Sequence, residues 1–192
     1  AFAHQHDIVV CVDGAQSAPH HVIDVEDLDV DFFAFSGHKM CGPTGVGVLY
    51  GKYHLLEEMT PTRFGGGSNA RYNSCGLVKL KNAPTKFESG TPNIEGVIGL
   101  GSAIEYLQKI GMKNIEEHEA MLRKYAIEKM KEKGCQQYLD FASGYDSFAY
   151  YYQNQMHVFE IDKKEVIEDK RQRCKDVDIE NIQFLSIDLS QE

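Results

Sequence analysis

The sequence predicts an α/β fold built on a mainly parallel sheet, and three features predict it. A β-branched run at residues 8–12 ends in Asp13-Gly14. An aromatic run at 32–35 ends in Ser36-Gly37-His38-Lys39. Two stretches of helical periodicity come later in the chain, at 93–110 and 114–133. Compact apolar runs that stop at polar residues and glycine read as buried parallel strands. In open α/β sheets ligands bind beyond the C-terminal ends of such strands.

Residues 8–12 are expected to form the first buried strand. Asp13 at its end either caps the next turn or faces a ligand. The acidic segment 22–28 crosses over to the strand at 32–35, and a third buried strand is expected at 46–50. The chain between these last two holds too much Gly and Pro for helix or strand. It presents Lys39. An ammonium between buried strands is costly. Desolvation lowers a lysine's pKa and leaves the amine nucleophilic, the environment of a Schiff-base lysine. The alternative is a surface-loop lysine that happens to lie between strands.

Residues 53–59 read as a short helix and 60–80 as a long polar connection. Connections of that length are usually functional or mobile. Its Gly65-Gly66-Gly67 either admits close backbone approach or serves as a flexible linker. The helix at 93–110 should bury Val97, Leu100, Ile104 and Leu107 and stop at Gly111. A second helix should start at Asn114 as N-cap, with Glu117 completing a capping box. It should turn Ile115, Met121, Leu122, Tyr125 and Met130 inward and end before Gly134. Its charges, including Glu116, Glu119, Arg123 and Lys124, read as a solvated face. No chemistry is read into His118. Beyond it come a strand and glycine turn (137–150), a strand ending in acid (157–162), a basic helix with Lys170-Arg171, and a strand (182–187) before Asp188.

The 192 residues allow one domain, or one and a fraction. A hydrophobic content of 42% excludes a disordered chain. A net charge of −9 argues against a nucleic-acid or anionic-membrane binder. No apolar segment approaches the length of a membrane span. The first residues lack the basic and apolar regions of a signal peptide. There is no initiator Met and an apolar run begins almost at once, so a natural N-terminal part is expected to be missing. Cys11, Cys41, Cys75, Cys135 and Cys174 form neither a C-x-x-C pair nor a zinc spacing, so no metal site is expected. Their odd number and scatter fit a reducing, cytoplasmic compartment.

Five blocks carry a family resemblance. They are Val12-Asp13-Gly14-Ala15-Gln16, Phe35-Ser36-Gly37-His38-Lys39, Gly42-Pro43-Thr44-Gly45-Val46-Gly47, Gly65-Gly66-Gly67-Ser68 and Phe87-Glu88-Ser89-Gly90-Thr91-Pro92-Asn93. In this order and spacing, residues 1–134 resemble the pyridoxal-phosphate core of the class V aminotransferase family. The cysteine desulfurase and selenocysteine lyase branch is the nearest. The resemblance implies part of a fold-type I large domain. Lys39 would hold pyridoxal 5'-phosphate covalently and move protons at the substrate's α-carbon. Asp13 would pair with the pyridine nitrogen, so that the ring acts as an electron sink; a carboxylate stabilises that cation better than a neutral acceptor. Gln16 would donate to the ring's phenolic oxygen, and Ser36 and His38 would bind the phosphate. Thr91 would reach the phosphate of the neighbouring subunit in a homodimer. The implied substrate is L-cysteine, converted to L-alanine. Its sulfur passes to a cysteine thiolate and on to an acceptor protein, as in iron-sulfur cluster assembly.

The family's sulfur-accepting cysteine and carboxylate-clamping arginine are not recognisable. Neither Cys135 nor Cys174 has the expected surroundings. The aromatic side chain that stacks on the ring and part of the phosphate cup are also missing. Weak cofactor binding and little or no complete turnover are therefore expected. Residues 135–192 instead resemble the opening, Rossmann-like half of an S-adenosylmethionine-dependent methyltransferase of the leucine carboxyl methyltransferase group. That resemblance places Gly144 at the methionine end, Asp162 at the ribose and Asp188 near the adenine. Ala142 stands where that group has glycine and Tyr151 where it has arginine, and both changes weaken cofactor binding. The alternative is a divergent α/β tail without a ligand. Two partial folds in one chain fit a fusion product, a mispredicted reading frame or an assembled fragment. They also fit a non-catalytic dimerisation or scaffold remnant.

Overall fold

The computed structural model describes residues 2–72, 75, 78–177, 179–188 and 190. The chain divides into two units, 1–120 and 121–192.

In the first unit, β1 (Cys11–Asp13) runs parallel to β2 (Phe32–Ser36), and β3 (Gly47–Gly51) pairs with β2 antiparallel. The register sets Cys11, Asp13, Phe32, Ala34, Ser36 and Leu49 on one face, and Val12, Phe33, Phe35 and Tyr50 on the other. The second face is covered. Phe33 is buried with Ala18 and Val30, and Val10, Ile23, Val25 and Met40 pack around them. The first face is open, and a shallow cavity of about 550 Å³ there is lined by Val9, Cys11, Phe32, Leu49, Leu55, Glu58 and Met59.

Two strand expectations need correction. The first strand is shorter than residues 8–12, because pairing with β2 begins only at Cys11 opposite Phe32. The expected burial at 8–12 and 46–50 is also absent: Ile8, Val9 and Leu49 are each 54% exposed. Both strands are edges of a three-stranded sheet with one covered face, and two-sided burial of a sheet needs layers on both faces.

A network of charge closes this sheet at its lower end. Asp31 is buried. Its carboxylate accepts from the Val10 N–H (2.7 Å), meets His4 Nε2 (2.8 Å) and pairs with Lys52 Nζ (2.9 Å). Asp29 takes the other His4 nitrogen (3.0 Å) and the same Lys52 (2.7 Å). Lys52, the Val10 N–H and His4, in that order, hold the Asp31 carboxyl far below the usual carboxylate range. The two aspartates push Lys52 up to about 12.

After β3 comes α1 (Tyr53–Glu58), matching the short helix expected there. The connection at 60–80 is not devoid of structure. It holds a 3-10 turn, Gly66–Ser68, and β4 (Asn69–Tyr72) paired antiparallel with β5 (Val78–Leu80) across a bulge. Alternation over so few residues is too short a signal to read. Gly65 needs its missing side chain, because a Cβ there would collide with the Ser89 carbonyl oxygen.

Helix α2 (Ile94–Ile110) is capped by Asn93, whose Oδ1 accepts from the Gly96 N–H at 3.0 Å, an interaction typically worth about 1 kcal/mol. It stops at Gly111, at φ 91°. Its buried stripe is Gly96, Leu100, Ala103 and Leu107, with Ile104 half-buried. Val97 is 55% exposed, because the stripe is centred one helical position away from the expected one.

Helix α3 (Met112–Glu132) starts directly after Gly111, so the expected N-cap is wrong. Asn114 lies inside the first turn, where its Nδ2 donates to the Ile110 carbonyl. Glu116 and Glu119 are not merely solvated: they hold His21 Nδ1 (3.0 Å) and His20 Nδ1 (2.8 Å). Met121, Leu122 and Tyr125 are exposed, and Ile127 is the buried residue of the helix.

In the second unit, β6 (Gln137–Phe141), β7 (His157–Asp162) and β8 (Ile182–Ser186) form a fully parallel sheet in that order. Between them lie α4 (Phe148–Tyr152) and the basic α5 (Lys164–Arg173). The core joins Ile127, Ala149, Met156, Val158, Ile167, Ile182 and Phe184, with Met130 packed against it. Both partners of an ion pair, Glu160 and Lys170, are buried inside this unit.

Because the folded Asp31 holds its proton less tightly than the unfolded one, it stabilises the fold above the ordinary carboxylate value. That contribution is lost as pH falls through the depressed folded value. Asp31→Asn is expected to lower Tm at neutral pH and to flatten the fall of Tm in acid. Melting curves recorded from neutral to acid pH check this, and variant and wild-type curves that stay parallel would contradict it.

Candidate functional site

The parallel pairing of β1 with β2 brings two of the sequence-identified residues to one sheet end. Asp13 is the last residue of β1 and Ser36 the last of β2. Both line a cavity of about 350 Å³, together with Cys11, Val12, Ala15, Ala34 and Phe35. That volume lies within the range of small-molecule sites, about 300–1,000 Å³. Cys11 was missed as a site residue. Its position two residues before Asp13 on one strand puts it on the same face, and that period was the available signal.

Gly14 fixes the height of the Asp13 carboxylate. Its N–H continues the ladder to the Ala34 carbonyl (2.7 Å), and a Cβ would overlap the Phe33 ring. Asp13 Oδ1 accepts from the Ala15 N–H at 2.9 Å, which tightens the turn. The other carboxylate oxygen has no partner among the described residues. Gln16 comes next in the same turn and is exposed.

Past Ser36 the chain makes a 3-10 turn, Gly37–Lys39. The Met40 and Gly42 N–H groups both donate to the Gly37 carbonyl, and the Gly37 N–H donates to the Val46 carbonyl, each at 2.9 Å. Cys41 sits at φ 58°, in the left-handed region that non-glycine residues rarely occupy. This rigid loop displays His38 and Lys39, and both are exposed. The expectation of a lysine shielded between buried strands is therefore corrected. The loop leaves the end of a sheet with one covered face, and none of the described residues screens the amine from water. Lys39 forms no ion pair among the described residues. Thr91 lies exposed on the loop before α2, away from the cavity lining.

In the second unit, β6 hands the chain to a turn with Ala142 at φ 56° and Gly144 at φ 48°. The Gly144 N–H donates to Asp162 Oδ2 (2.8 Å), and the Lys163 N–H to Asp162 Oδ1 (2.7 Å). The Ile187 N–H donates to the Asp162 carbonyl (2.8 Å), which sets Asp188 beside the same strand end. Asp188 Oδ1 accepts from the Ser190 N–H (3.0 Å) and hydroxyl (2.6 Å). No group of three or more His, Cys, Asp or Glu side chains among the described residues could hold a metal ion. No helix among them is long and apolar enough to cross a membrane.

Asp13-Gly14 and Ser36-Gly37-His38-Lys39 thus stand at adjacent strand ends, as the resemblance to the aminotransferase class-V family implies. The profile of that family matches residues 1–158, and the chain belongs to it. The match runs past residue 134, where the sequence alone marks the end of the resemblance. The chain is 54% identical over 132 residues to a probable cysteine desulfurase of Halalkalibacterium halodurans, covering 68% of this chain and 32% of that protein. Its fold is similar to the apo cysteine desulfurase of Thermococcus onnurineus NA1, with TM-score 0.64 and 42% identity over 68% of this chain and 32% of that one. It is also similar to the Escherichia coli cysteine desulfurase CsdA, with TM-score 0.56 and 52% identity over 58% of this chain and 28% of that one. The chain thus spans about a third of the length of the relatives it matches.

Gly14→Ala is expected to destabilise the first unit by about 1–3 kcal/mol, the usual cost of overpacking. Denaturant unfolding of the variant measures it, and an unchanged midpoint would mean that Phe33 can withdraw from the new methyl group.

Proposed function

We propose that residues 1–134 form the cofactor-holding part of a pyridoxal-phosphate-dependent cysteine desulfurase. The observation that carries this is the shared strand end. Asp13 and Ser36 line one small cavity, and the loop from Ser36 presents Lys39; among the described residues one Asp13 carboxylate oxygen is uncommitted and Lys39 meets no carboxylate. These residues fit the group. A carboxylate suits a pyridinium nitrogen, hydroxyl and imidazole suit a phosphate, and an unpaired amine suits an aldehyde.

When bound, the cofactor supplies an electron sink that lets bonds at the substrate's α- and β-carbons break. The protein's residues do the positioning. Asp13 holds the proton on the ring nitrogen. Gln16 orients the ring through its phenolic oxygen. Ser36 and His38 anchor the phosphate. Lys39 ties the cofactor covalently and moves the proton at the α-carbon. The substrate class is L-cysteine, with the sulfur leaving to a thiolate as L-alanine forms. Complete turnover requires an acceptor thiolate, and neither Cys135 nor Cys174 has surroundings that identify it as one. A homodimer in which Thr91 reaches the partner's phosphate, a sulfur-acceptor protein and a role in iron-sulfur assembly belong to the same reading. A reducing, cytoplasmic setting belongs to the same reading.

The test is spectroscopic. Pyridoxal phosphate added to the full chain should give a visible band that Lys39→Ala abolishes, and borohydride should then fix a pyridoxyl group on Lys39. Identical spectra for the two proteins would reject the assignment. Asp13→Asn should weaken cofactor affinity about tenfold or more, the size expected for losing a charge-assisted hydrogen bond; equal affinities would remove Asp13 from the site.

A second reading concerns residues 135–192, as an S-adenosylmethionine-binding segment. Its support is the parallel β6-β7-β8 order, with Gly144, Asp162 and Asp188 gathered at one strand end. Titration calorimetry with S-adenosylmethionine should then give heat that Asp162→Ala loses. No heat with the unaltered chain would leave a tail without a ligand.

A further inference from the structure

The second unit sets two carboxylates, one buried and one half-buried, beside a single buried cation. Glu160 is fully buried and Lys170 is 2% exposed, with Lys170 Nζ 2.6 Å from Glu160 Oε2. The same ammonium donates to the Asp146 carbonyl at 2.8 Å and sits 5.6 Å from the centre of the Tyr150 ring. Strand register sets Asp140 beside Glu160 on the face that also carries Tyr138, Val158 and Phe184. Glu160 pairs with the ammonium directly, and Asp140 feels it only at longer range. Asp140 Oδ2, Glu160 Oε1 and Ser143 Oγ are all buried without a hydrogen bond.

Ionised carboxylates only accept, so neighbouring ones cannot satisfy each other unless one holds a proton. A buried carboxylate oxygen left without a donor costs its desolvation, and a proton held between the two groups supplies the missing donor. We propose that Asp140 and Glu160 hold one proton between them at neutral pH. Lys170 alone then neutralises the cluster and pins the loop 142–147 to the sheet. The proton belongs to the pair rather than to either residue.

The surroundings agree. Burial pushes both carboxyls up, against the opposing pull of Lys170. The other titratable groups that face the pair are negative or neutral. Asp146 in the loop and Asp162 at the end of β7 both raise Asp140. Tyr138 on β6 and Tyr150 on α4 are themselves raised by burial, and Cys174 after α5 faces Tyr150. Arg171 is directed to Phe184, whose carbonyl and ring it meets. Lys170 is thus the sole cation on the cluster among the described residues. A raised carboxyl stabilises the fold below its ordinary value, and that stability is lost as pH rises through the folded value. The second unit is accordingly a proton-dependent module that loosens in alkali. This holds whether or not either cofactor reading is correct.

Infrared spectroscopy of the full chain tests it. At neutral pH the wild type should show a carboxylic-acid C=O stretch, at a pH where exposed carboxyls are ionised. Asp140→Asn and Glu160→Gln should each remove that band, since the remaining carboxylate then faces Lys170 alone. Raising the pH should remove it from the wild type together with thermal stability, and Asp140→Asn should keep its Tm over the same range. A wild type without the band at neutral pH overturns the proposal, and this needs no variant to fold. So does a Tm that rises with sodium or potassium while no acid band is present, which would put a metal cation where the proton is placed.

Discussion

The register between β1 and β2 decides where the polar strand ends of the first unit fall. With Asp13 opposite Ala34, the carboxylate and the Ser36 hydroxyl emerge on one face at one end of the sheet. A slip by one residue would send Asp13 to the covered face, among Val12 and Phe33, because side chains alternate along a strand. Several features hold that register. The Gly14 N–H extends the ladder, and the Phe33 ring fills the space where a side chain at Gly14 would be. At the other end, Asp31 ties Val10 and Lys52 to the start of β2. The strands are short, so the pairing depends on these flanking contacts more than on the ladder itself.

The same geometry explains what the first unit does not build. A sheet with one covered face can position groups, but it cannot dry them. Asp13, Gln16, His38 and Lys39 are all exposed. Position and dielectric are separate requirements for an activated amine, and the exposure of Lys39 leaves the second unmet among the described residues. The open face bears Val9, Phe32 and Leu49, apolar side chains whose exposure is unfavourable in water.

Much of the architecture was legible because it rests on local signals of adequate length. The seventeen-residue α2 shows its cap, its period and its glycine stop within one segment. Asp13-Gly14 and the Ser36 to Lys39 turn could be read because glycine at a strand end marks a close approach or a tight turn. What failed was phase and context. Val97 and Leu100 are equally apolar, and only packing against the sheet chooses between them. Along α3, Met121, Leu122 and Tyr125 formed as good a stripe as the one built on Ile127, and helical period alone cannot rank two stripes. The hairpin β4–β5 was missed because three- and four-residue strands carry almost no periodic signal. Burial of Lys39 was inferred from its apolar neighbours in sequence, yet burial is a property of layers.

Glu160 with Lys170 in one case and Lys39 in the other show charge treated in opposite ways, and one principle accounts for both. Desolvation of an ion requires walls on every side. Glu160 and Lys170 have them. The carboxylate lies on the middle strand of a parallel sheet, its lysine on the helix α5 that covers that sheet, and the loop carbonyl of Asp146 closes the contact. Such a pair is strong only while its charges balance and its remaining polar atoms find partners. Lys39 has its turn but no walls among the described residues, so its side chain stays in contact with water. A perturbed charge is therefore evidence about packing first and about chemistry second. In this chain the most strongly buried ionisable groups lie outside the strand end that the family resemblance singles out.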